Sequence, residues 1–529
     1  MSNLLQKASI VTTPTAYGVG VLNSIKPAQS FGEELVVNGD FATDSDWTFT
    51  GGGVAISGGT LNFTTTTREA EQNISLVSGK TYLVTYEITN YVNGDFRAEI
   101  GSGTGIIRNS NGLFSEKIVF SGTPKIQLDA VTVFTGSIDN VSVKEVTDAD
   151  FDFTRTSSAT RVNSDYLIET SATNTPRLDY TNGTASILLE PQSTNLLPYS
   201  EDFSQYFTSS SPVVSGGFLA PDGTNNAYKI TNNTSSSVFL SAVSNLNSTS
   251  TRTIYAKTVS GTGTASLMSY FGNTNNVFTL TDQWQRFEVN GTTTSTGESN
   301  FYAVDFRGAG TLNEVLIWGA QAENLSFATS YIPTSGSTVT RAAETLNNAG
   351  NSDLFNPNEG VLYIETAALA NDGTTRQISL SDGSSSPNKV SILYLSTTNE
   401  IKAFIRGGGA VSMNLSFTLN NALEFNKIAL KYKVDDFALW VNGTEVLTDN
   451  SGAIPTGLSD LSFDDADGTQ PFYGKCKMVA VFKEALSDTE LACLTSTNNR
   501  EIFLNYYYRM QYVEANTEAL SCAEQTFNI

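Results

Sequence analysis

The chain has 529 residues, with 30 Lys and Arg, 53 Asp and Glu and no His, so its formal net charge at pH 7 is −23. This length suits three or four domains, and the acidic surface excludes nucleic acid as a favoured partner because it repels phosphate backbones. The lack of histidine excludes Ser-His and Cys-His nucleophiles, imidazole general bases and the commonest zinc ligand.

Three cysteines, Cys476, Cys493 and Cys522, lie far apart and form no C-x-x-C pair. We therefore expect buried free thiols rather than a disulfide framework or a thiolate metal site. The N-terminus lacks a basic segment followed by an unbroken apolar run, and no run of about 18 apolar residues occurs. We expect neither classical secretion nor a membrane span.

Hydrophobic residues alternate with polar ones along much of the chain, which is typical of half-buried strands. Clusters of Gly, Asn, Asp and Ser separate these segments at the spacing of a sandwich or barrel. The predicted fold class is all-β, with tandem β-sandwiches. The clearest alternating faces are Tyr82, Val84, Tyr86 and Ile88 in one strand, and Ile126, Leu128 and Ala130 in another.

The sequence repeats a module. The segment Asn38 to Phe41, followed by Trp47, has a counterpart in Ser200 to Phe203, followed by Phe207. Each copy opens a stretch of similar length and ends in an apolar strand. An Arg- and Thr-containing segment follows each copy, at residues 153–161 and 332–341. We interpret these two segments as straps that cross between domains.

The first copy, roughly residues 33 to 146, carries E-L-V-x-N-G-D-F followed by Trp47 and closes with I-D-N-V-S-V. This pattern resembles the jelly-roll modules of carbohydrate-binding families 4 and 9. The segment L-L-E-P-Q-S-T-N-L-L, residues 188–197, resembles a strap of phage tail and other virion proteins. The opening residues, 3–17, are similar to the start of the same group. The resemblance implies a virion structural protein.

The third unit has the clearest hairpin pattern. Ile428, Leu430, Tyr432 and Val434 are predicted to face the core, while Lys431 and Lys433 face water. Asn442-Gly443 predicts a tight I′ turn, and Ser487 to Glu490 predicts a capping box before a short helix. This combination resembles concanavalin A-like, laminin-G-type domains, which implies the fold but not the ligand.

The predicted organisation has six parts. Both ends are candidates for contact with other virion proteins. The arm is expected to attach by strand addition, and the aromatic tail is expected to dock either on its own domain or on a neighbouring subunit. The parts are an attachment arm (1–31), jelly roll 1 (32–147), a connector strap (148–197), jelly roll 2 (198–345), a concanavalin A/laminin-G-like sandwich (346–497) and an aromatic tail (498–529).

An acidic loop is the one metal site that the sequence suggests. Asp464, Asp465 and Asp467, near Asp460 and Gly468, place hard oxygen ligands at the close spacing that calcium prefers. The spacing is not that of an EF-hand, and a solvated turn is the alternative. Calcium is the only cofactor expected.

A sandwich protein can act on a glycan by cleaving it or by binding it. A sandwich glycanase needs two facing carboxylates, but Glu365 and Glu400 have no acidic neighbour at alternating spacing, so we expect no enzyme activity. Sugar binding uses exposed aromatic rings. For Trp47, Trp284 and Trp318 a core role is favoured over binding, Tyr91 is left open, and Trp440 is predicted to face away from the core of its hairpin.

The functional expectation is a phage virion subunit, a tail fibre or a head fibre or decoration protein, assembled in the host cytoplasm and adsorbing to host surface glycans. Virion fibres are commonly trimers, and by that analogy we expect a homo-oligomer. The alternatives are a free bacterial carbohydrate-binding protein and a carboxylate-dependent glycanase.

Overall fold

The computed structural model describes residues 4–209, 211–233, 238–242, 249–269, 276–290, 300–307, 309–385 and 387–496. The chain divides into two compact units, one formed by Ser24–Ala149 and the other by Met1–Asn23 with Asp150–Ile529. The aromatic tail predicted at 498–529 lies outside the described residues. Strands dominate the described structure, which confirms the all-β fold class.

One short helix and a series of strands make up the described chain as far as residue 147. In order, the elements are α1 (Leu4–Lys7), β1 (Ala8–Thr12), β2 (Tyr17–Gly18), β3 (Val21–Leu22), β4 (Ser30–Phe31), β5 (Thr48–Phe49), β6 (Val54–Ser57), β7 (Thr60–Thr66), β8 (Glu69–Asn73), β9 (Thr81–Asn93), β10 (Phe96–Ile100), β11 (Gly103–Thr104), β12 (Gly112–Val119), β13 (Lys125–Ala130) and β14 (Phe134–Thr147).

The rest of the chain continues in the same way. Its elements are β15 (Phe151–Thr154), β16 (Ala159–Val162), β17 (Ile168–Ser171), β18 (Arg177–Asp179), β19 (Ser186–Leu189), β20 (Ser193–Asn195), a 3-10 turn (Phe203–Gln205), β21 (Phe207–Ser209), β22 (Val213–Phe218), β23 (Ala227–Thr231), β24 (Val238–Ala242), β25 (Thr251–Lys257), β26 (Gly263–Ser269), β27 (Val277–Leu280), β28 (Gln285–Asn290), β29 (Asn300–Asp305), β30 (Glu314–Glu323), β31 (Val339–Arg341), β32 (Thr345–Asn347), β33 (Glu359–Ala368), β34 (Arg376–Ser381), β35 (Lys389–Tyr394), β36 (Glu400–Gly407), β37 (Ala410–Thr418), β38 (Asn426–Lys433), β39 (Phe437–Val441), β40 (Thr444–Asp449), β41 (Asp460–Ser462), β42 (Gly474–Phe482) and α2 (Asp488–Thr495).

The unit Ser24–Ala149 is a sandwich of two antiparallel sheets. One sheet has the order β11-β10-β13-β8-β5, and the other has the order β12-β9-β14-β7-β6 with β4 added at β14. Burial alternates along β9, as the period-2 pattern predicts. Both predicted faces are confirmed as core: Tyr82, Val84, Tyr86, Ile88, Ile126, Leu128 and Ala130 are all buried.

A second sandwich has sheets ordered β27-β26-β29-β24-β21 and β28-β25-β30-β23-β22. These orders match those of the first sandwich strand for strand, which agrees with the sequence repeat. The closing strand β30 lies between β25 and β23, just as β14 lies between β9 and β7. It is buried along almost its whole length.

The third sandwich contains the predicted hairpin. Asn442 and Gly443 have φ of 48° and 92°, as an I′ turn requires. Two details of the prediction are wrong: Val434 is 53% exposed because it lies in the turn after β38, and Lys431 is only 6% exposed. The second error arises because α2 packs on the strand that carries Lys431. The Lys431 ammonium pairs with Asp436 at 2.6 Å and lies 3.9 Å from Asp488 of that helix. The capping box from Ser487 to Glu490, which begins this helix, is confirmed.

The connector strap (148–197) and the N-terminal segment both add strands to this third sandwich. In its larger sheet, β19 and β1 occupy successive stretches of one edge of β42, opposite residues Gly474–Cys476 and Val479–Phe482 respectively. Strand addition by the N-terminal arm therefore takes place within its own chain. Strands β3 and β4 of the same segment also pair within the chain, with β15 and β14 respectively. Attachment of the arm to another protein stays a prediction.

Five charged side chains form a buried cluster where the two straps meet. Glu344 accepts hydrogen bonds from Arg155 Nη1 at 2.7 Å and from Arg177 Nε at 2.8 Å. Glu190 accepts from Arg177 Nη2 at 2.8 Å and from Arg341 Nη1 at 2.6 Å. All five side chains are at most 2% exposed. The cluster therefore ties residues far apart in the sequence into one arrangement.

Burial and charge act in opposite directions on this cluster. Burial by itself raises the pKa of Glu190, but the neighbouring Arg341 and Arg177 outweigh it and lower the pKa to about 2. Burial disfavours the charged form of Arg177, yet Glu344 and Glu190 raise its pKa above the ordinary value. Both groups are therefore ionised at neutral pH, and each depends on its partners for compensation.

Candidate functional site

A surface pocket of about 360 Å³ lies on the second sandwich. Its walls come from the segment before the 3-10 turn, from the loop leading into β23 and from the second strap. The lining residues are Glu201, Asp202, Gly217, Asn225, Asn226, Tyr228, Thr334 and Ser335. The volume is within the range of pockets that bind small molecules, roughly 300 to 1,000 Å³.

Asp202 is held by the 3-10 turn that follows it. Its carboxylate caps the turn by accepting from the Ser204 N–H at 3.1 Å, and its Oδ1 also accepts from the Tyr228 hydroxyl at 2.9 Å. The neighbouring Phe203 is buried, with its ring centroid 5.7 Å from that of Tyr228. Apolar packing thus fixes the turn that presents the carboxylate.

Glu201 is held by neutral donors. Its Oε1 accepts from the Tyr331 hydroxyl and its Oε2 from Asn226 Nδ2, both at 2.8 Å. Asn226 is itself oriented by Trp318, whose Nε1 donates to the amide oxygen at 2.8 Å. The rings of Trp318 and Tyr331 pack with their centroids 4.6 Å apart. A buried aromatic pair therefore positions the polar side of the pocket.

The two carboxyl groups lie in different electrostatic surroundings. Burial raises the pKa of Glu201, and the negative charge of Asp222 adds to this increase. The pKa of Asp202 is lowered, chiefly by its hydrogen bond from the Ser204 hydroxyl. Ionised carboxylates are strong acceptors, and the amide and hydroxyl groups beside them both donate and accept. The pocket can therefore bind a ligand rich in hydroxyl or amino groups.

Sequence reasoning did not identify this site. Residues 200–203 were recognised only as the opening of a repeat, and neither Asn226 nor Tyr228 was singled out. The adjacent carboxylates Glu201 and Asp202 were the available signal. Their meaning depends on residues near 226 and 334, which only the folded sandwich brings together.

The aromatic candidates are mostly structural. Trp47 and Trp318 are buried, as favoured for them, whereas Tyr91 is half-buried against the first core. Trp284 is half-buried and its Nε1 donates to the Leu219 carbonyl at 3.2 Å. Trp440 is only 7% exposed, and α2 packs on its strand. None of these rings lines the pocket described above.

The acidic loop of the third sandwich uses its carboxylates internally. Asp464 accepts from Asn347 Nδ2 at 2.7 Å and from the Ala466 N–H at 2.6 Å. Asp465 pairs with Lys389, while Asp467 accepts from the backbone and side chain of Thr469. Within the described part of the chain, no three acidic, Cys or His side chains group in a way that could hold a metal. Calcium binding stays a prediction, which equilibrium dialysis against Ca²⁺ tests.

Asp460, at the start of this loop, is expected to control a pH dependence. Burial, together with the charges of Asp464 and Asp152, raises its pKa from 3.8 to about 6. A raised folded-state pKa contributes stability that is complete below pH 3.8 and is lost as the pH rises through 6. We therefore expect Asp460→Asn to increase the melting temperature at pH 7 but not at pH 4. The exposed Asp165→Asn is the control, and a pH-independent effect of Asp460→Asn would contradict the assignment.

The glycanase candidates do not face each other across a cleft formed by one sheet. Glu365 lies on β33 and Glu400 on β36, in different sheets of the third sandwich.

Cys476 is a buried free thiol, as expected, and burial raises its pKa. The expectation for Cys493 is wrong, since it is disulfide-bonded, and Cys522 lies outside the described residues. Among the described residues, no helix is long and apolar enough to cross a bilayer.

No protein-family model matches the chain, and no curated protein matches it. Among solved structures, CBM40 of the Ruminococcus gnavus IT-sialidase bound to α2,3-sialyllactose is 16% identical, with 28% of this chain and 93% of that chain covered and a TM-score of 0.24. The CBM22-1-CBM22-2 tandem of Paenibacillus barcinonensis Xyn10C is 12% identical, with coverage of 56% and 98% and a TM-score of 0.19. Similarities this low assign neither a family nor a ligand to this chain.

Proposed function

We propose that this protein binds glycans through the pocket of its second sandwich and serves as a structural subunit of a phage virion. The convergence of Glu201, Asp202, Asn226 and Tyr228 in one pocket carries the glycan part of the proposal. Their carboxylate, amide and hydroxyl groups are the partners that sugar hydroxyls require. The strap at 188–197 and the opening residues, which resemble virion proteins, support the virion part.

Blocking the pocket is expected to weaken glycan binding without unfolding the protein. Ser335 is exposed and lines the pocket, so Ser335→Trp places an indole in the space a sugar would occupy. We expect at least roughly tenfold weaker binding, a loss of about 1.4 kcal/mol, on an array of bacterial surface glycans. Ser337→Trp, exposed on the same strap but outside the lining, is the matched control. Equal binding by both variants and the unchanged protein would place glycan binding elsewhere.

The virion part has a separate test. A structural subunit is present in many copies at fixed positions on purified particles, and cryo-electron microscopy of such particles would reveal them. A homo-oligomer, with a trimer favoured, is expected from light scattering of the purified chain. A stable monomer that is absent from particles would favour the alternative of a free carbohydrate-binding protein.

The remaining alternative is a glycanase that uses carboxylates. The pocket supplies two carboxyl groups with oppositely shifted pKa values, Glu201 and Asp202, which makes it the place to examine. We expect no release of reducing sugar from host polysaccharides. Turnover that Glu201→Gln abolishes would show that the protein is an enzyme.

A further inference from the structure

The pocket of the second sandwich is anionic. Two of its eight lining residues are carboxylates, and none is a lysine or arginine. Lys229 follows the lining residue Tyr228 in β23, but its ammonium group lies 3.3 Å from Glu314 and over the ring of Phe218. Because successive strand residues point to opposite faces, its charge is directed away from the Tyr228 side of the strand.

Glu201 lacks a cationic partner among the described residues. Its two oxygens accept one hydrogen bond each from neutral donors, Tyr331 and Asn226. Asp222 contributes a further negative charge nearby. Burying a carboxylate beside like charges is unfavourable, and an opposite charge within about 4 to 6 Å offsets that cost. The free pocket is thus arranged to gain from a positively charged ligand group.

We propose that the pocket selects sugars that carry a free amine, 2-amino-2-deoxy hexoses, over their N-acetylated forms and over sialic or uronic acids. This inference rests on the proposed glycan-binding function. An ammonium group supplies three donors and a positive charge to the Glu201 and Asp202 carboxylates, and charge-assisted hydrogen bonds are roughly twice as strong as neutral ones. N-acetylation removes that charge, and a ligand carboxylate adds repulsion. The Asn225 and Ser335 side chains of the lining can exchange hydrogen bonds with the remaining hydroxyls.

Calorimetric titration of the full chain tests the inference. The ligands are matched oligosaccharides of glucosamine, N-acetylglucosamine and galacturonic acid, with lysine amide as an ammonium compound that is not a sugar. We expect the glucosamine oligomer to bind at least roughly tenfold more tightly than the acetylated one, a difference of about 1.4 kcal/mol. The galacturonate oligomer is expected not to bind.

Two variants connect the preference to the pocket. Glu201→Gln keeps the shape of the side chain and removes its charge, so the preference for the amine should disappear while any binding of the acetylated oligomer persists. Asp222→Asn, which does not line the pocket, should reduce the preference to a smaller extent. Glu314→Gln is the control, because this carboxylate pairs with Lys229, and it should leave the preference unchanged.

The outcomes separate the inference from the function on which it rests. Equal or tighter binding of the acetylated oligomer would overturn the amine preference and leave glycan binding intact. Binding of lysine amide as tight as that of the glucosamine oligomer would overturn the assignment to a sugar. If Ser335→Trp changes no glycan signal and no oligomer binds, the proposed glycan-binding function itself is wrong.

Discussion

Replacing Glu344 by glutamine is expected to lower the free energy of unfolding by about 3 to 5 kcal/mol, because it breaks a buried charge cluster and leaves arginines uncompensated. The Glu344 carboxylate forms ion pairs with Arg155 and Arg177 and also accepts a hydrogen bond from the backbone N–H of Glu190 at 2.9 Å. Glutamine would turn an amide N–H₂ toward one of these donors. The loss therefore combines an unpaired buried charge with unsatisfied donors.

Equilibrium unfolding in urea, followed by tryptophan fluorescence, measures this loss. The control is Glu314→Gln, which removes a carboxylate from the exposed pair with Lys229. Exposed pairs contribute about 0 to 1 kcal/mol, so the control should be nearly neutral. A loss for Glu344→Gln no larger than that of the control would mean that the cluster does not hold the straps together.

Replacing Asn195 by aspartate is the second change with a large expected effect. The amide of Asn195 is 0% exposed and satisfies four backbone groups. Its Nδ2 donates to the carbonyls of Ala320 at 3.1 Å and Ile332 at 2.9 Å, and its Oδ1 accepts from the N–H groups of Leu197 and Ala322, both at 3.1 Å. This one side chain therefore joins the connector strap (148–197) to β30 and to the strap at 332–341.

Aspartate removes both donors and directs a carboxylate at two carbonyl oxygens. We expect a loss of about 3 kcal/mol or more at pH 7, since each buried group left unsatisfied costs about 1 to 3 kcal/mol. The loss should shrink as the pH is lowered toward 4, because protonation removes the buried charge. Asn420→Asp, on an exposed loop position, is the control for the same chemical change. Urea unfolding at both pH values measures both variants, and a loss below 1 kcal/mol would refute the central role of Asn195.

Features that depend on local chemistry could be predicted from the residues alone. The alternation in β9 reveals its buried face because side chains alternate at every residue of a strand. The turn at Asn442-Gly443 and the capping box at Ser487 follow in the same way, from residues that tolerate positive φ or satisfy free N–H groups within one turn. The repeat indicated two similar modules, and the first two sandwiches share one strand order.

Features that depend on distant neighbours were missed or were wrong. Period-2 parity placed Lys431 in water, but a helix more than fifty residues later covers its strand. The arginines of the two straps were noted only as similar motifs. Their convergence on Glu190 and Glu344 depends on how β19 and β31 are placed by the sheets around them.

Three features therefore follow from the sequence alone: the strand pattern, the internal repeat and the lack of imidazole chemistry. The first two depend on the order of the residues, and the third depends on composition. The pocket is a property of the fold. Glu201 and Asp202 become a site because the sandwich brings Asn226, Tyr228 and the strap at Ser335 to them. More than a hundred residues separate Glu201 from Ser335, and burial of the apolar faces between the sheets brings the two together. That tertiary packing decides which polar groups meet.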